Sequence, residues 1–379
     1  MTTVRVLAPY FAPAVDGGGP IRTLDALTRA APADVSVTVV TRDRDRGHHE
    51  RLAVPVGPVR DGGRRVHYVD TRGLPGLLRL ASAIRRRPAP DVLYLNSVFD
   101  ARFAVMPLVL RRLGLARPAC TLLAPRGEFD AGALAVKRPK KAVFLALAAS
   151  TRLFSGVVWH ASTPLEAAHI RSVVGDDADV VVRENETSLP EQAERAPVPR
   201  SSRLELVTLG RISPKKRTHL LIEALADVGR PVRLVVVGPD DDAAYARRCR
   251  AAAAALPDDV TVEFRGSLSH DAAMEALTHA HAMATATAGE NFGHTIAEAL
   301  AAARPVLLPA TTPWTDRVRA GGGSVVDDDG WGEAFRTWAD RDQADLEARS
   351  AAAADGYDAW RATAAGAPHV FDLVRRSRS

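Results

Sequence analysis

Two carboxylates flank a glycine in the stretch Gly289-Glu290-Asn291-Phe292-Gly293-His294-Thr295-Ile296-Ala297-Glu298. An ionised carboxylate accepts two or more hydrogen bonds, so Glu298 suits sugar hydroxyls. Gly293 lets the backbone approach a ligand closely, and the first amides of the predicted helix suit a phosphate. An ordinary amphipathic helix with two surface glutamates is the alternative, because charged residues are common on helix faces.

A basic stretch, Leu209-Gly210-Arg211-Ile212-Ser213-Pro214-Lys215-Lys216, lies between a predicted strand and a predicted helix. Arg211 offers a planar guanidinium and Lys216 a mobile point charge, and together they suit a diphosphate. A solvated basic turn is the alternative. Because both stretches follow strands in the same half of the chain, where ligands of nucleotide-binding sheets lie, the pair favours a binding site.

The elements that position these residues alternate along the chain, as β-branched and apolar runs indicate. Predicted strands cover residues 4–8, 35–40, 66–69, 91–95, 120–124 and 180–182, then 204–209, 232–237, 260–264, 282–287 and 305–308. Predicted helices cover residues 21–29, 77–87 and 103–113, then 218–228, 243–256, 271–278 and 295–303. Strands separated by helices of this length predict parallel sheets with right-handed crossovers.

A polar stretch separates the two series of strands and helices. Residues 184–203 are rich in Glu, Ser and Arg, and their prolines oppose a regular element. We therefore expect a linker between an N-terminal domain, residues 1–183, and a C-terminal domain that begins at residue 204. Each domain resembles a nucleotide-binding sheet, and a cleft between them is the expected site.

Composition excludes several classes of protein. Of 379 residues, 46% are hydrophobic and 25% charged, as in soluble folded proteins. The net charge of +5 rests on scattered arginines, so we expect no nucleic-acid partner. Cys120 and Cys249 are too few for a disulfide scaffold, and no apolar stretch approaches the roughly 20 residues that span a bilayer. These features favour a cytoplasmic location.

The ordered motifs resemble the retaining glycosyltransferases of family 4, which have the GT-B fold. The resemblance is carried by the run from Gly210 to Lys216, by Gly238-Pro239-Asp240, and by Glu-x7-Glu from Glu290 to Glu298. Four further motifs look like one bacterial branch of that family: Asn96-Ser97-Val98-Phe99, Ala124-Pro125-Arg126-Gly127-Glu128-Phe129, Trp159-His160-Ala161-Ser162 and Thr312-Pro313-Trp314.

The resemblance implies an α/β architecture of two Rossmann-like domains whose parallel sheets face across a cleft. Residues 1–183 would form the acceptor-side domain and residues 204–355 the nucleotide-sugar-binding domain. A C-terminal helix within residues 356–379 would cross back to the N-terminal domain.

The resemblance also assigns site residues by their position in the motifs. Arg211 and Lys216 would bind the diphosphate of the donor and stabilise the leaving group, and Glu290 would contact the hydroxyls of the donor sugar. Glu298 would contact the ribose of the nucleotide. Backbone amides would help to hold the phosphates and the sugar near Phe292, Gly293, His294 and Thr295.

Two segments of the N-terminal half can also be compared with the family. Gly17-Gly18-Gly19 matches the flexible glycine loop that faces the donor in the family. In many relatives a histidine near the end of an N-domain strand faces the sugar, whereas this chain has Arg126-Gly127-Glu128 at about that place. We therefore expect Arg126, Glu128 and Asn96 to contact the sugar or the acceptor.

The implied reaction is a metal-independent, retaining transfer without a cofactor. The donor is a nucleotide-diphosphate sugar, with a UDP-sugar such as UDP-GlcNAc favoured. The acceptor is a hydroxyl of a small molecule, such as a secondary metabolite or an aminocyclitol-like compound, or of a glycan. Two alternatives stay open: a cell-envelope polysaccharide transferase with a lipid-linked acceptor, and a nucleotide-sugar 2-epimerase.

Two charged clusters allow other interpretations. Asp240-Asp241-Asp242 follows a predicted strand and fits either a divalent metal site or, the interpretation we favour, the cap of the next helix. Lys137-Arg138-Pro139-Lys140-Lys141 precedes an apolar run, residues 142–147. Contact with an anionic membrane is one interpretation, and we favour a buried helix with a solvated basic leader.

Overall fold

The computed structural model describes residues 1–15, 18–55, 57–135 and 137–376. The chain divides into two compact units. Unit 1 comprises Met1–Ser188 together with Pro368–Ser379, and unit 2 comprises Leu189–Ala367. Each unit contains one sheet covered by helices, which confirms the predicted α/β class with two parallel-sheet domains.

Unit 1 contains an eight-stranded sheet. Its strands are β1 (Thr2–Leu7), β2 (Val35–Arg42), β3 (Pro58–Asp61), β4 (Arg64–Val69), β5 (Val92–Asn96), β6 (Cys120–Ala124), β7 (Val157–Ala161) and β8 (Val180–Val182). Their order in the sheet is β3-β4-β2-β1-β5-β6-β7-β8. Neighbours run parallel, apart from the antiparallel pair β3 and β4. Every residue of β5, β6 and β7 is buried, as expected for a parallel sheet covered on both faces.

Unit 2 contains a six-stranded parallel sheet. Its strands are β9 (Leu204–Leu209), β10 (Val232–Val237), β11 (Val260–Gly266), β12 (Ala282–Ala284), β13 (Val306–Leu308) and β14 (Ser324–Val325). Their order is β11-β10-β9-β12-β13-β14. Because β9 and β12 are neighbours, the loops that leave their carboxyl ends start side by side.

Helices pack on both faces of each sheet. Those of unit 1 that precede residue 189 are α1 (Gly19–Arg29), α2 (Gly73–Arg85), α3 (Met106–Arg112), α4 (Ala131–Ala135), α5 (Arg138–Ser150) and α6 (Pro164–Val174). Those of unit 2 are α7 (Thr218–Glu223), α8 (Ala243–Ala254), α9 (His270–Thr278), α10 (His294–Ala301), α11 (Thr315–Ala320), α12 (Trp331–Ala339) and α13 (Gln343–Ala365). The last helix, α14 (Val370–Arg376), packs in unit 1, where Phe371 meets Tyr94 edge to face.

Several predicted helices are shorter or divided in the structure. The helix predicted over 103–113 consists of a π-helical turn, Ala101–Val105, followed by α3, and Asp100 caps the turn. The helix predicted within residues 356–379 is two helices, because Pro368 lacks an amide hydrogen and disfavours helical backbone at the residue before it. The sequence analysis does not predict β3, β7 or β14.

The apolar run after the basic cluster is not a buried helix, so that interpretation was wrong. Ala148 is the buried residue of α5, whereas the side chains of Val143 and Leu147 are 61% and 59% exposed. The core beneath this helix is already filled by aromatic side chains such as Phe129 and Trp159. Within the described residues, no helix has the length and apolar character required to cross a membrane.

The polar stretch 184–203 is divided between the units and is held by hydrogen bonds. In unit 2, the guanidinium of Arg304 donates to the carbonyls of Ala196 and Pro197, at 3.3 and 2.8 Å. Arg304 is fully buried, and burial lowers its pKa to about 10. Its hydrogen-bond partners are carbonyls and the Ser350 hydroxyl, so this cation has a structural role.

Candidate functional site

In the candidate site of unit 2, the segments that follow β9 and β10 pass over one another in close contact at two glycines. This contact is called the crossing below. Gly210 follows β9 and Gly238 follows β10, with φ of 149° and 145°. A Cβ atom on Gly238 would lie 2.0 Å from the Gly210 carbonyl oxygen, so no other residue fits here without a backbone shift. The Gly210 amide donates to the Val237 carbonyl at 2.9 Å, and the crossing fixes the direction in which the basic stretch leaves the sheet.

Lys216 and Glu290 form a direct ion pair. The Lys216 Nζ lies 2.5 Å from Glu290 Oε1, and their side chains are 21% and 15% exposed. The Lys216 side chain lies across Gly210, where a Cβ atom would be 3.2 Å from Lys216 Cε. The structure thus brings together the cation and the carboxylate that the sequence analysis assigns to the donor.

Arg217 and the backbone of Lys215 hold these two side chains together. The Arg217 Nε donates to the Ala286 carbonyl at 2.6 Å, and its Nη1 pairs with Asp328 at 2.7 Å. The Ala288 amide donates to the Lys215 carbonyl at 2.9 Å. These contacts tie the loop that carries Glu290 to the segment that carries Lys216. The sequence analysis missed Arg217, and the only available signal was its position directly after Lys216.

Arg211 does not join the Lys216–Glu290 pair in this structure. Its Nη1 lies 3.2 and 3.1 Å from the two carboxylate oxygens of Asp241, and its side chain is 47% exposed. An ion pair with this exposure contributes about 0–1 kcal/mol, so the guanidinium is readily redirected to an anionic ligand.

The three consecutive aspartates have separate roles in the ion pairs and caps of unit 2. Asp242 caps α8 by accepting from the Tyr245 amide at 3.0 Å, which confirms the cap interpretation for this residue. Asp240 pairs with Arg250 at 3.0 Å, and Asp241 pairs with Arg211. Within the described residues, no group of three or more His, Cys, Asp or Glu side chains is placed to hold a metal ion.

An aromatic cluster holds the glycine turn that begins α10. The Phe292 ring packs against Trp314 with ring centroids 5.7 Å apart, and the Trp314 Nε1 donates to the Phe292 carbonyl. Gly293 follows with φ of 83°, and a Cβ atom there would lie 3.1 Å from Trp314 Cδ1. The Trp360 ring of α13 packs on the same Trp314. The start of α10 is therefore rigidly placed.

The remaining donor-site candidates lie along α10. His294 and Thr295 are its first residues, so their amides lie in the first turn of the helix. Glu298 lies one turn further on and is buried, with Oε1 3.8 Å from Nδ1 of His270. The helix thus carries a carboxylate close to its positive end, where an acidic or anionic group is stabilised.

In unit 1, Arg126 is the centre of a hydrogen-bond network at the carboxyl ends of β5 and β6. Its Nε donates to Asn96 Oδ1 at 2.9 Å, its Nη2 donates to the Tyr94 hydroxyl at 2.5 Å, and its Nη1 donates to Asn185. All three partners are neutral. The structure therefore brings together Arg126 and Asn96 of the sequence-predicted residues.

Glu128 is directed toward the loop that follows β5. Its Oε1 accepts from the Ser97 hydroxyl at 2.9 Å, and its Oε2 accepts from the Val98 and Phe99 amides at 2.5 and 3.3 Å. Burial raises the pKa of this carboxyl, whereas these hydrogen bonds oppose the rise. The geometry thus gives Glu128 the role of fixing the loop that follows β5.

Glu166 is a second buried carboxylate in unit 1, which the sequence analysis missed. It accepts from the Gly127 amide and from the amide and hydroxyl of Ser162, each at 2.7 Å. The signal in the sequence is the Thr163-x-x-Glu166 capping pattern at the start of α6. Glu166 thereby fixes the backbone next to Arg126.

The glycine loop is only partly described. Gly17 lies outside the described residues. Gly18 caps the start of α1 with φ of 69°, a conformation that favours glycine, and Gly19 is the first residue of that helix. Gly18 and Gly19 thus begin the helix that follows β1, and their contact with the donor stays a prediction.

We expect Gly238→Ala to destabilise unit 2 more than Gly229→Ala does. Gly229 also has a positive φ, 63°, but nothing lies within 4 Å of its missing Cβ. Strain alone at Gly229 should cost about 1–2 kcal/mol, and overpacking against the Gly210 carbonyl should add about 1–3 kcal/mol at Gly238. Urea unfolding followed by tryptophan fluorescence measures both. Equal unfolding midpoints would contradict a fixed crossing.

We also expect His160 to stay neutral well below pH 6.5. Because Arg126 donates to the Tyr94 hydroxyl, that hydroxyl donates to His160 Nδ1 at 2.9 Å, and His160 Nε2–H donates to the Arg183 carbonyl at 3.0 Å. Burial and the charge of Arg126 hold the pKa of His160 well below its ordinary value. The Tyr94 pKa is raised to about 12 by burial.

The unfolded chain binds this proton near pH 6.5 whereas the folded chain does not, so the free energy of unfolding should fall as the pH drops below about 6.5. NMR of the imidazole nitrogens, assigned with His160→Gln, should show the Nε2–H tautomer through that range. Titration of His160 between pH 6 and 7 would contradict the network.

The fold and one segment of sequence have known counterparts. Residues 191–338 match the family model for glycosyl transferases group 1. No curated protein matches the chain in sequence. Among solved structures, the sucrose-phosphate synthase of Thermosynechococcus elongatus is 18% identical, with a TM-score of 0.74 and 99% of both chains covered.

Two further structures have the same architecture. HepE of Anabaena, solved in complex with UDP-glucose, is 14% identical with a TM-score of 0.65, and the match covers 96% of this chain and 95% of that one. The UDP-forming trehalose-phosphate synthase of Burkholderia xenovorans is 14% identical with a TM-score of 0.64, covering 96% and 98%. The chain therefore has the GT-B fold, and its residues 191–338 match the group 1 glycosyl transferases.

Proposed function

We propose that this protein is a cytoplasmic, retaining glycosyltransferase of family 4 that needs no metal. It transfers a sugar from a UDP-sugar to a hydroxyl of a small-molecule acceptor. The single observation that carries the proposal is the Lys216–Glu290 ion pair, with Nζ and Oε1 2.5 Å apart, in the segment that matches group 1 glycosyl transferases.

The ion pair explains how one site serves both parts of a nucleotide sugar. Without a donor, Lys216 and Glu290 neutralise each other. When the diphosphate binds, Lys216 turns to the phosphate oxygens, and Arg211 leaves its exposed pair with Asp241. Glu290 is then released to accept hydrogen bonds from the sugar hydroxyls.

The reaction places negative charge on the leaving diphosphate. The bond between the anomeric carbon and the phosphate oxygen breaks, and the acceptor oxygen bonds to that carbon on the same face. The acceptor proton passes to the leaving phosphate oxygen. Lys216, Arg211 and the first amides of α10 stabilise the developing charge, a contribution on the order of 3 kcal/mol for each such group.

The donor is assigned from the chemistry of the site and from the structural neighbours. The neighbours include HepE in complex with UDP-glucose and a UDP-forming synthase, which supports uridine as the base. UDP-GlcNAc and UDP-glucose are the two sugars to compare. Glu298, buried behind the first turn of α10, is assigned to the ribose hydroxyls.

A lipid-linked acceptor is the second candidate, and one observation favours it. The helix α5 exposes Val143 and Leu147 next to the basic residues from Lys137 to Lys141. Apolar side chains beside basic ones suit the surface of an anionic membrane. Activity with lipid-linked acceptors alone would favour this candidate, and an epimerised nucleotide sugar formed without any acceptor would favour a 2-epimerase.

We expect Lys216→Ala to weaken UDP binding about 10- to 100-fold, because charge-assisted hydrogen bonds to the diphosphate are lost. Lys215→Ala changes the net charge equally and serves as the matched control, with an expected change below about threefold. Isothermal titration calorimetry with UDP measures both.

The Glu290→Gln variant tests the partner of Lys216 in the same ion pair, and its expected effect on UDP affinity is the opposite. Removing this carboxylate frees Lys216, so UDP should bind at least as tightly as to the unmodified protein, whereas turnover of the UDP-sugar should fall by about 10²-fold or more. Equal UDP affinities for the Lys216 and Lys215 variants would refute the diphosphate role of Lys216.

We expect activity to survive chelation with EDTA, because the cations for the diphosphate come from Lys216 and Arg211. UDP release from UDP-GlcNAc and UDP-glucose, measured with and without EDTA, tests this expectation. Two results together would favour the metal interpretation of the aspartate cluster. One is a loss of activity in EDTA that added Mn²⁺ or Mg²⁺ restores, and the other is that the metal no longer restores activity in the Asp241→Asn variant.

A further inference from the structure

Unit 1 contains a cavity of about 550 Å³ at the carboxyl end of its sheet. Its lining includes Tyr10, Arg46, Ser97, Phe99, Arg126 and Lys137. The volume falls within the range of about 300–1,000 Å³ that small-molecule sites occupy. The lining combines two aromatic rings with three cations.

The two carboxylates of the lining are directed into the protein. Asp100 accepts from the Arg102 and Phe103 amides through Oδ1 and pairs with Arg42 through Oδ2 at 2.7 Å. Glu128 accepts from the loop after β5, as described above. Within the described residues, neither carboxylate therefore forms an ion pair with the cations of the lining.

The three cations of the lining have no carboxylate partner within the described part of the chain. Arg126 donates to Asn96, Asn185 and Tyr94, all of them neutral. Arg46 and Lys137 are exposed at the rim of the cavity and form no ion pair with another described residue. The hydrogen-bond partners of Arg126 thus orient its guanidinium without offering a carboxylate to offset its charge.

The backbone around the floor of the cavity is held in an unusual conformation. Ser97 and Arg126, which follow β5 and β6, have φ of 146° and 55°. Non-glycine residues adopt such values at a cost of order 1–3 kcal/mol, and they concentrate at ligand sites. The hydrogen bonds from Ser97 to Glu128 and from Arg126 to Asn96 hold both residues in place.

Two aromatic side chains complete the site. Tyr10 is held by Arg42, whose Nη1 donates to its hydroxyl at 2.9 Å, and Phe99 packs edge to face on Phe129. Rigid aromatic rings provide the apolar surface that small-molecule sites combine with a few charged groups.

We propose that this cavity binds the acceptor, and that the acceptor is a monosaccharide-sized compound with a phosphate group. The inference rests on the proposed glycosyl transfer. A phosphate monoester carries about −1.5 to −2 charges at pH 7, which matches three cations without carboxylate partners. Arg126 contacts the phosphate through its planar guanidinium, and Arg46 and Lys137 contact it from the rim.

The test uses the full chain saturated with UDP, so that the diphosphate site of unit 2 is filled. Glucose 6-phosphate, inorganic phosphate and glucose are the probes, measured by calorimetry. Glucose 6-phosphate should bind at least about tenfold more tightly than glucose. Lys137→Gln and Arg46→Gln should each weaken its binding about 3- to 10-fold, with the affinity for UDP unchanged.

Lys140→Gln is the matched control. Lys140 belongs to the same basic segment as Lys137 but does not line the cavity, so its substitution should change glucose 6-phosphate binding less than about twofold. Because Lys137→Gln and Arg46→Gln replace exposed side chains, these variants should keep the fold and leave the network around Tyr94 intact.

Two results would overturn the inference. One is equal affinity for glucose 6-phosphate and glucose, or no binding of either phosphate probe. The other is an equal loss in the Lys137 and Lys140 variants, which would indicate diffuse attraction to a basic surface. If UDP does not bind but glucose 6-phosphate still binds in a way that depends on Lys137, the result would contradict the proposed function and leave the phosphate site of unit 1 supported.

Discussion

The close contact between Gly238 and the Gly210 carbonyl is the constraint on which the candidate site of unit 2 depends. It lets the chain cross just beyond the ends of β9 and β10, with 2.0 Å between that carbonyl oxygen and the position of the missing Cβ. The absent side chain of Gly210 then leaves room for Lys216 to lie across the strand end. Arg217 anchors the neighbouring loop, so that Glu290 meets Lys216. A methyl group at the crossing would change the path of the basic stretch and, with it, the position of its cation.

The sequence predicts most of this arrangement because the site lies at strand ends. Runs of Val and Leu locate the parallel strands, and topology then places the residues after each strand at one edge, as it does for Lys216 and Glu290. Contacts between distant side chains carry no such signal. Nothing in the composition indicates that Arg217 binds the Ala286 carbonyl, or that Arg211 pairs with Asp241. The exposure of α5 was missed for the same reason, since aromatic residues from other segments fill the core beneath it.

Lys216 of unit 2 and Arg126 of unit 1 are held by different kinds of partner. In unit 2, the Lys216 cation is paired with the carboxylate of Glu290. In unit 1, Arg126 is oriented by Asn96, Asn185 and Tyr94, and the chain of hydrogen bonds continues through His160 to the Arg183 carbonyl. This chain fixes the tautomer of His160 and orients the guanidinium without cancelling its charge. The first arrangement suits a group that changes partners during a reaction, and the second suits a fixed binding group.

A comparison of three arginines explains why the net charge of +5 says little about the ligand. Arg64 is buried and pairs with Asp25 and Asp61, so its charge is cancelled. Arg304 is also buried among neutral groups, but its guanidinium donates hydrogen bonds to the carbonyls of the polar stretch. Arg126 is likewise hydrogen-bonded to neutral groups, yet it borders a cavity of about 550 Å³ where a ligand has room to bind. Charge that is uncancelled and that also borders a cavity with room for a ligand is therefore what selects an anion, and the net charge does not report it.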